Sequence, residues 1–277
     1  MPSQTYTFST AQPLTLRLRN PAGDVEITAS DTTETTVEVI PRGHSAQDPA
    51  ERTRVELSAD GTRLDVEAPE RRFGSTAKLG MIVQLPAGSR VDVGTASADL
   101  VCHGRLGRLD AATASGDIAA DEIDGNAGIK TASGDVVVGG VSGDVDCKTA
   151  SGDLRLGSAG GNCRSMSASG NVELGACGGE VSARTASGDV AVRQVERGSV
   201  QISTMSGDVK VGVRRGVTVW LDLSTMSGRT RSDLEHQDTP PSDDSAVLSI
   251  SVRTMSGDIA LQRSNLPSQS HSEGAQS

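Results

Sequence analysis

The side chains best suited to chemistry in this sequence recur at fixed spacing. A pentad, Thr-[Ala/Met]-Ser-Gly-Asp, starts at Thr113, Thr131, Thr149, Thr185, Thr204 and Thr254, with degenerate copies at Thr95, Ser167 and Thr225. Its carboxylates Asp117, Asp135, Asp153, Asp189 and Asp208 form a series interrupted by Asn171. If the copies stack at strand spacing, neighbouring carboxylates lie about 4.8 Å apart and repel by roughly 1 kcal/mol in bulk water. Two arrangements offset this. Asp and Ser side chains can bond to backbone N–H groups in the bend, or the row can hold cations such as Ca²⁺. The first is the expected one. The nonapeptide calcium motif GGxGxDxUx has a different glycine spacing from Gly139-Gly140-Val141-Ser142-Gly143-Asp144. No cofactor or metal is therefore expected, with the Asp ladder as the low-ranked cation site. An ice-binding hydroxyl face is spoiled by the adjacent Asp and the varied residues that follow it.

Other reactive groups are scattered. An active site should interrupt the repeat with paired carboxylates or a carboxylate beside a base. The one such break, 229–244, carries Asp233, Glu235, His236, Asp238, Asp243 and Asp244 without recognisable spacing. It reads as a solvated loop. His44, His103, His236 and His271 have no zinc spacing. No Gly-x-Ser-x-Gly elbow, P-loop or dinucleotide fingerprint occurs. Cys102, Cys147, Cys163 and Cys177 form no C-x-x-C pair, and small buried thiols in the core are expected, with Cys147 and Cys163 able to meet diagonally. No catalytic residue is expected.

Composition narrows the class further. The 277 residues include 32 Gly and four aromatics, Tyr6, Phe8, Phe73 and Trp220, with a formal charge of −10. An acidic chain poor in aromatics lacks the basic face and stacking platform that nucleic acid requires. An acidic rod mimicking DNA is permitted by the charge, but interspersed positive residues weaken it. No apolar run is long enough to span a membrane, and the start lacks a signal-peptide pattern. The location expected is cytoplasmic, with the cell surface by a route without a signal peptide as the alternative.

What must position these groups is a repeat of 18 residues. The nine pentads start at 95, 113, 131, 149, 167, 185, 204, 225 and 254, the first five intervals all being 18. A half-period shows in Ser133-Gly134-Asp135-Val136 and its echo Ser142-Gly143-Asp144-Val145. Unit positions 2, 6, 8, 11, 15 and 17 are apolar, as in Ala132, Val136, Val138, Val141, Val145 and Cys147. Spacing by two is the strand signature, and the Gly and β-branched content is hostile to helix. The fold class predicted is all-β, a β-solenoid (β-helix) winding two short strands per turn around a narrow core. On this alternation the pentad's Thr, Ser and Asp point outward. The recurrent Gly marks a bend with positive φ or close approach between turns. Ser165 stands where an apolar residue is expected. One extra residue in the unit at 185 moves the inward role to Val200 and Ile202. The run Val217, Val219, Leu221, Leu223 puts Trp220 on the opposite face, to be covered by the 229–253 insertion or to anchor a partner.

Residues 1–94 read as a β cap with irregular early turns. Strands are predicted at 14–18, 25–27, 37–40, 55–57, 64–66, 81–85 and 91–93, a hairpin turn at 58–62 and a polar loop at 41–52. An open solenoid end requires such a cap. The solenoid proper is assigned to 95–263, with a looped-out segment near 229–246, and 264–277 is expected to be disordered.

At this point the chain resembles the bacterial DUF4097 family of β-strand repeat proteins, sometimes labelled adhesins. The TASGDV and TMSGDV series carries the resemblance, with NPAGDVEITASD, LPAGSRVDVGTASADL and VERGSVQISTMSGDVKVGVRRGVTVWLDLSTMSGRTRSDLE, over roughly 10–263. It implies a β-solenoid and an envelope or scaffold role, with no catalytic motif. The function expected is a non-enzymatic structural or binding scaffold presenting a regular surface to an unknown protein or envelope partner. A filament built by self-association is the first alternative, since stacked solenoid ends make a contact that does not close. A carbohydrate-active β-helix enzyme is the second.

Overall fold

The structure, a computed structural model, describes residues 3–43, 46–69, 77–234 and 248–264. Apolar alternation with Val, Ile, Leu and Ala makes nearly every element a strand. The early elements are β1 (Gln4–Ser9), β2 (Thr15–Ser30), β3 (Glu34–Arg42), α1 (Gln47–Glu51), β4 (Arg54–Leu57), β5 (Arg63–Glu67), β6 (Lys78–Pro86) and β7 (Arg90–Leu106). All seven runs expected in this region are strands, and 14–18 and 25–27 join into the single β2. The loop expected at 41–52 is different. β3 runs on to Arg42, and α1 follows because Ala46 and Ala50 find an apolar surface to cover.

The coils begin before the pentads do. β2 is one complete turn. Its edges pair in parallel with β5 and β6 on one side and with β7 on the other. β6 then pairs antiparallel with β3, β3 with β1, and β4 with β5. This antiparallel layer covers the N-terminal end.

Beyond β7 each turn is two strands. One wall holds β8 (Arg108–Thr113), β10 (Ala127–Ser133), β12 (Val145–Ser151), β14 (Cys163–Ser169), β16 (Val181–Ser187) and β18 (Ser199–Ser206). The other holds β9 (Ile118–Ile123), β11 (Val136–Val141), β13 (Leu154–Ala159), β15 (Val172–Cys177), β17 (Val190–Val195) and β19 (Val209–Arg214). Pairing is parallel at the repeat distance, so Val136 faces Ile118 and Leu154, and Thr149 faces Thr131 and Ser167. The extra residue after Val192 is absorbed as an irregularity in β17, and Val200 and Ile202 are buried as expected.

The last turns are not stacked in chain order. β20 (Val219–Ser227) and β21 (Thr230–Ser232) form the outermost turn. β22 (Leu248–Ser256) and β23 (Ile259–Ser264) lie between them and β18–β19. Thr254 therefore sits between Thr204 and Thr225. Residues 230–232 belong to a turn, while 235–247, the centre of the expected looped-out segment, and the tail 265–277 lie outside the described residues.

The core is a single narrow cluster of Val, Leu, Ile, Ala and Cys along the axis. All four cysteines are buried and free. Cys163 meets Cys177, with 3.4 Å between sulfurs, rather than Cys147. Cys147 lies level with Ser165.

Candidate functional site

The pentad sits where one wall turns into the other. Here the expected orientation is partly reversed. Thr131, Thr185, Thr204 and Thr254 are buried, and the following Ala or Met is exposed. The alternation set by unit positions 15 and 17 simply continues through the Thr, so position 2 faces out. Thr149, Thr185 and Thr204 donate to the carbonyls of Ser151, Ser187 and Ser206 at 3.1, 3.1 and 3.2 Å, whereas the buried hydroxyls of Thr131 and Thr254 have no partner among the described residues.

Glycine at position 4 is required by close approach. A Cβ on Gly170, whose φ is +130°, would lie 2.2 Å from the carbonyl oxygen of Gly152 in the turn below. The same contact recurs from turn to turn, as at Gly188 over Gly170.

The Asp residues do form one row. The backbone N–H of each donates to Oδ1 of its equivalent in the preceding turn. Asp117 to Asp99 is 3.0 Å, Asp135 to Asp117 2.8 Å, and Asp153 to Asp135 2.9 Å. The row continues through Asn171, Asp189, Asp208 and Asp258 to the N–H of Arg229, at 2.8 to 3.0 Å. Each carboxylate thus accepts a charge-assisted bond that counters its repulsion from its neighbours. Asn171 fits because the contact uses one oxygen, which an amide also supplies. Arg155 with Asp153 at 3.3 Å, and Arg229 with Asp258 at 3.6 Å, add positive charge. Asp99 and Asp258 complete the row. Their signal was in the sequence, since both close a pentad copy. A second, shorter row at the opposite bend links Asn126, Asp144, Asn162 and the N–H of Glu180 in the same way.

Among the described residues, no three His, Cys, Asp or Glu side chains converge as metal ligands would. His103 places Nδ1 3.4 Å from Asp121 in an exposed pair. His44, His236 and His271, with Glu235, Asp238, Asp243 and Asp244, lie outside the described residues, and Asp233 is exposed. Asp60, held down at about pH 2 by bonds from Ser58 and Thr62, belongs to the 58–62 hairpin turn beside an open depression. Burial pushes Cys102 and Cys147 up to about 12, so neither is a ready nucleophile at neutral pH. Among the described residues no helix is long and apolar enough to cross a membrane.

What the sequence reading missed is the change in the column beside the Ser row. It is Ala from Ala114 to Ala186, then Met205, Met255 and Met226 in three successive turns. These methionines are 58%, 51% and 80% exposed. Trp220, 58% exposed, stands on the same outer face of β20 as Met226. An exposed Met and Trp group is unusual for surface with no partner and suits adaptable apolar contact.

A model of the family Toastrack DUF4097 matches residues 15–262. No curated protein matches the chain. Among solved structures, a "putative adhesin" from Bacteroides fragilis NCTC 9343 is similar at 11% identity and TM-score 0.45, covering 94% of this chain and 97% of its own. One of the same description from Parabacteroides merdae ATCC 43184 gives 10%, 0.43, 94% and 95%. A "putative lipid binding protein" from Parabacteroides distasonis ATCC 8503 gives 12%, 0.40, 94% and 96%.

Proposed function

From the premise that this chain belongs to the Toastrack DUF4097 family, we propose that it is a non-enzymatic scaffold that binds a protein partner on the outer face of its C-terminal turns. The observation that carries this reading is the line of Met205, Met255 and Met226 on successive turns. Elsewhere on this wall the outward residues are mostly small or polar, and paired charges such as Arg108 with Asp110 occupy it. Parallel pairing holds the three thioethers on a rigid wall, so contact there costs little ordering of backbone. The Asp row, with one oxygen of each carboxylate bonded to an N–H group, holds the turns in register beneath that surface and needs no cation to do so.

The test is a photo-reactive amino acid at position 255, with a second at Val137 on the opposite wall as control. A discrete cross-linked partner is expected from position 255 alone. With the probe kept at 255, the variant Met205→Ser, Met226→Ser should lose it while keeping its urea midpoint, because exposed substitutions change stability by about 0.5 kcal/mol or less. Unchanged capture from position 255 in that double variant would refute this site.

End-to-end self-association is the second reading, and β20 favours it. Val219, Leu221 and Leu223 are half-buried there, whereas Ile250 and Val252 one turn in are fully buried. Among the described residues, β20 pairs on one edge alone, with β22. Sedimentation velocity across a hundredfold concentration range separates the two readings.

A further inference from the structure

Cys163 and Cys177 lie at the two ends of one turn, beside bends that stack on each other. Cys163 opens β14 and Cys177 closes β15, on either side of the bends 160–162 and 178–180. The equivalent pairs in other turns are Ala127 with Val141, Val145 with Ala159, and Val181 with Val195, all buried. In this one turn both are cysteines, each 2% exposed, with sulfurs 3.4 Å apart. A disulfide requires about 2.05 Å, so the sulfurs need approach by a little over 1 Å, within reach of side-chain rotation. Cys102 and Cys147 have no such neighbour, and no sulfur–sulfur contact of theirs is present among the described residues.

We propose that Cys163 and Cys177 form an intramolecular disulfide that staples the two ends of one turn, with a small external disulfide of the oxidised-glutathione class as oxidant. One cysteine, as thiolate, attacks a sulfur of that disulfide, forming a mixed disulfide and releasing one external thiolate. The second cysteine attacks the protein sulfur of the mixed disulfide, closing the Cys163–Cys177 bond and expelling the second. Both cysteine protons are lost and two electrons pass to the oxidant, so one disulfide is consumed and one made. The hydrogen bond with Cys163, and burial, push the Cys177 thiol up. The closed core has no room for a mixed disulfide. The exchange therefore belongs to an open bend, during folding or local unfolding, and the folded dithiol resists it. The stapled segment is the short loop from Cys163 to Cys177, and closing it restricts the unfolded chain.

The full chain, unfolded and reduced, is refolded in oxidised and reduced glutathione. It is quenched with acid, then unfolded and alkylated. Intact mass should show two alkylated cysteines and the loss of about 2 Da from the disulfide. Peptide mapping should join Cys163 to Cys177, and the urea midpoint should rise above that of the reduced protein. The variant Cys163→Ala, Cys177→Ala keeps residue types found at the same unit positions in Ala127 and Ala159. It should fold with a midpoint indifferent to the redox buffer. Four alkylatable thiols after oxidative refolding to the native β spectrum would overturn the proposal. So would a bond mapped to Cys102 or Cys147, or an oxidised chain that has lost that spectrum.

Discussion

Replacing Gly170 by Ala tests the central argument about the bend. The residue's φ is +130°, a conformation that costs an L-residue about 1–3 kcal/mol. The added Cβ would also fall 2.2 Å from the Gly152 oxygen and 2.8 Å from its carbon, both backbone atoms. Relief requires the turns to separate locally by about 1 Å. That strains the bonds crossing there: Gly152 N–H to Ser169 O at 3.3 Å, and Asn171 N–H to Asp153 Oδ1 at 2.9 Å. Losing two at about 1 kcal/mol each brings the expected cost to about 3–5 kcal/mol, the upper end for one substitution. Gly61→Ala is the control. Its φ is also positive, at +70°, but nothing lies within 4 Å of its Cβ, so only the conformational cost of about 1–2 kcal/mol applies. Urea unfolding followed by circular dichroism gives both midpoints. If Gly170→Ala unfolds within 1 kcal/mol or so of Gly61→Ala, the idea that inter-turn contact selects the glycine is wrong.

Asp135→Asn should be neutral or slightly stabilising, because Asn171 already fills the same role. Asp135→Ala should cost about 1–2 kcal/mol by removing the acceptor for Asp153 N–H, and equal midpoints for the two variants would count against the ladder. Ser165→Ala should stabilise by up to about 1 kcal/mol, since its buried hydroxyl has no partner among the described residues and Ala183 occupies the same place one turn on; a lowered midpoint would contradict this. In the folded, reduced protein, iodoacetamide at pH 8 should leave Cys102 and Cys147 unmodified for hours, because thiols pushed up to about 12 are hardly ionised there. Rapid labelling of either would show that the turn around it opens readily.

The parallel turns were legible because 18-residue spacing converts directly into register, and register places every Val, Ile and Cys of the repeat. The Asp row was legible for the same reason, although its bonds reach the next turn rather than its own bend. Three features were not. The Thr orientation was obscured because Ala at position 2 reads as an inward residue, while Thr at position 1 reads as polar. In Thr149, Thr185 and Thr204 the hydroxyl pairs with a backbone carbonyl, which sequence alone does not display. Helix α1 is short and held by Ala46 and Ala50 against the core, so no local periodicity announces it. The order of the last turns depends on which of two nearly identical pentads, at Thr225 and Thr254, pairs with Thr204. Both fit the same register, and the spacing does not choose.

That choice has a kinetic side. Since β22–β23 is the layer beneath β20–β21, the outermost turn is made by the ribosome before the turn it rests on. While residues 248–264 are still unsynthesised, the pentad at 225 can occupy the place on β18 that the pentad at 254 finally takes. Reaching the native order then means a late strand exchange, with the earlier segment giving up its berth. The final turns cannot mature by winding from one end to the other, and removal of residues 248–264 would leave a wall that closes in a different sequence of layers.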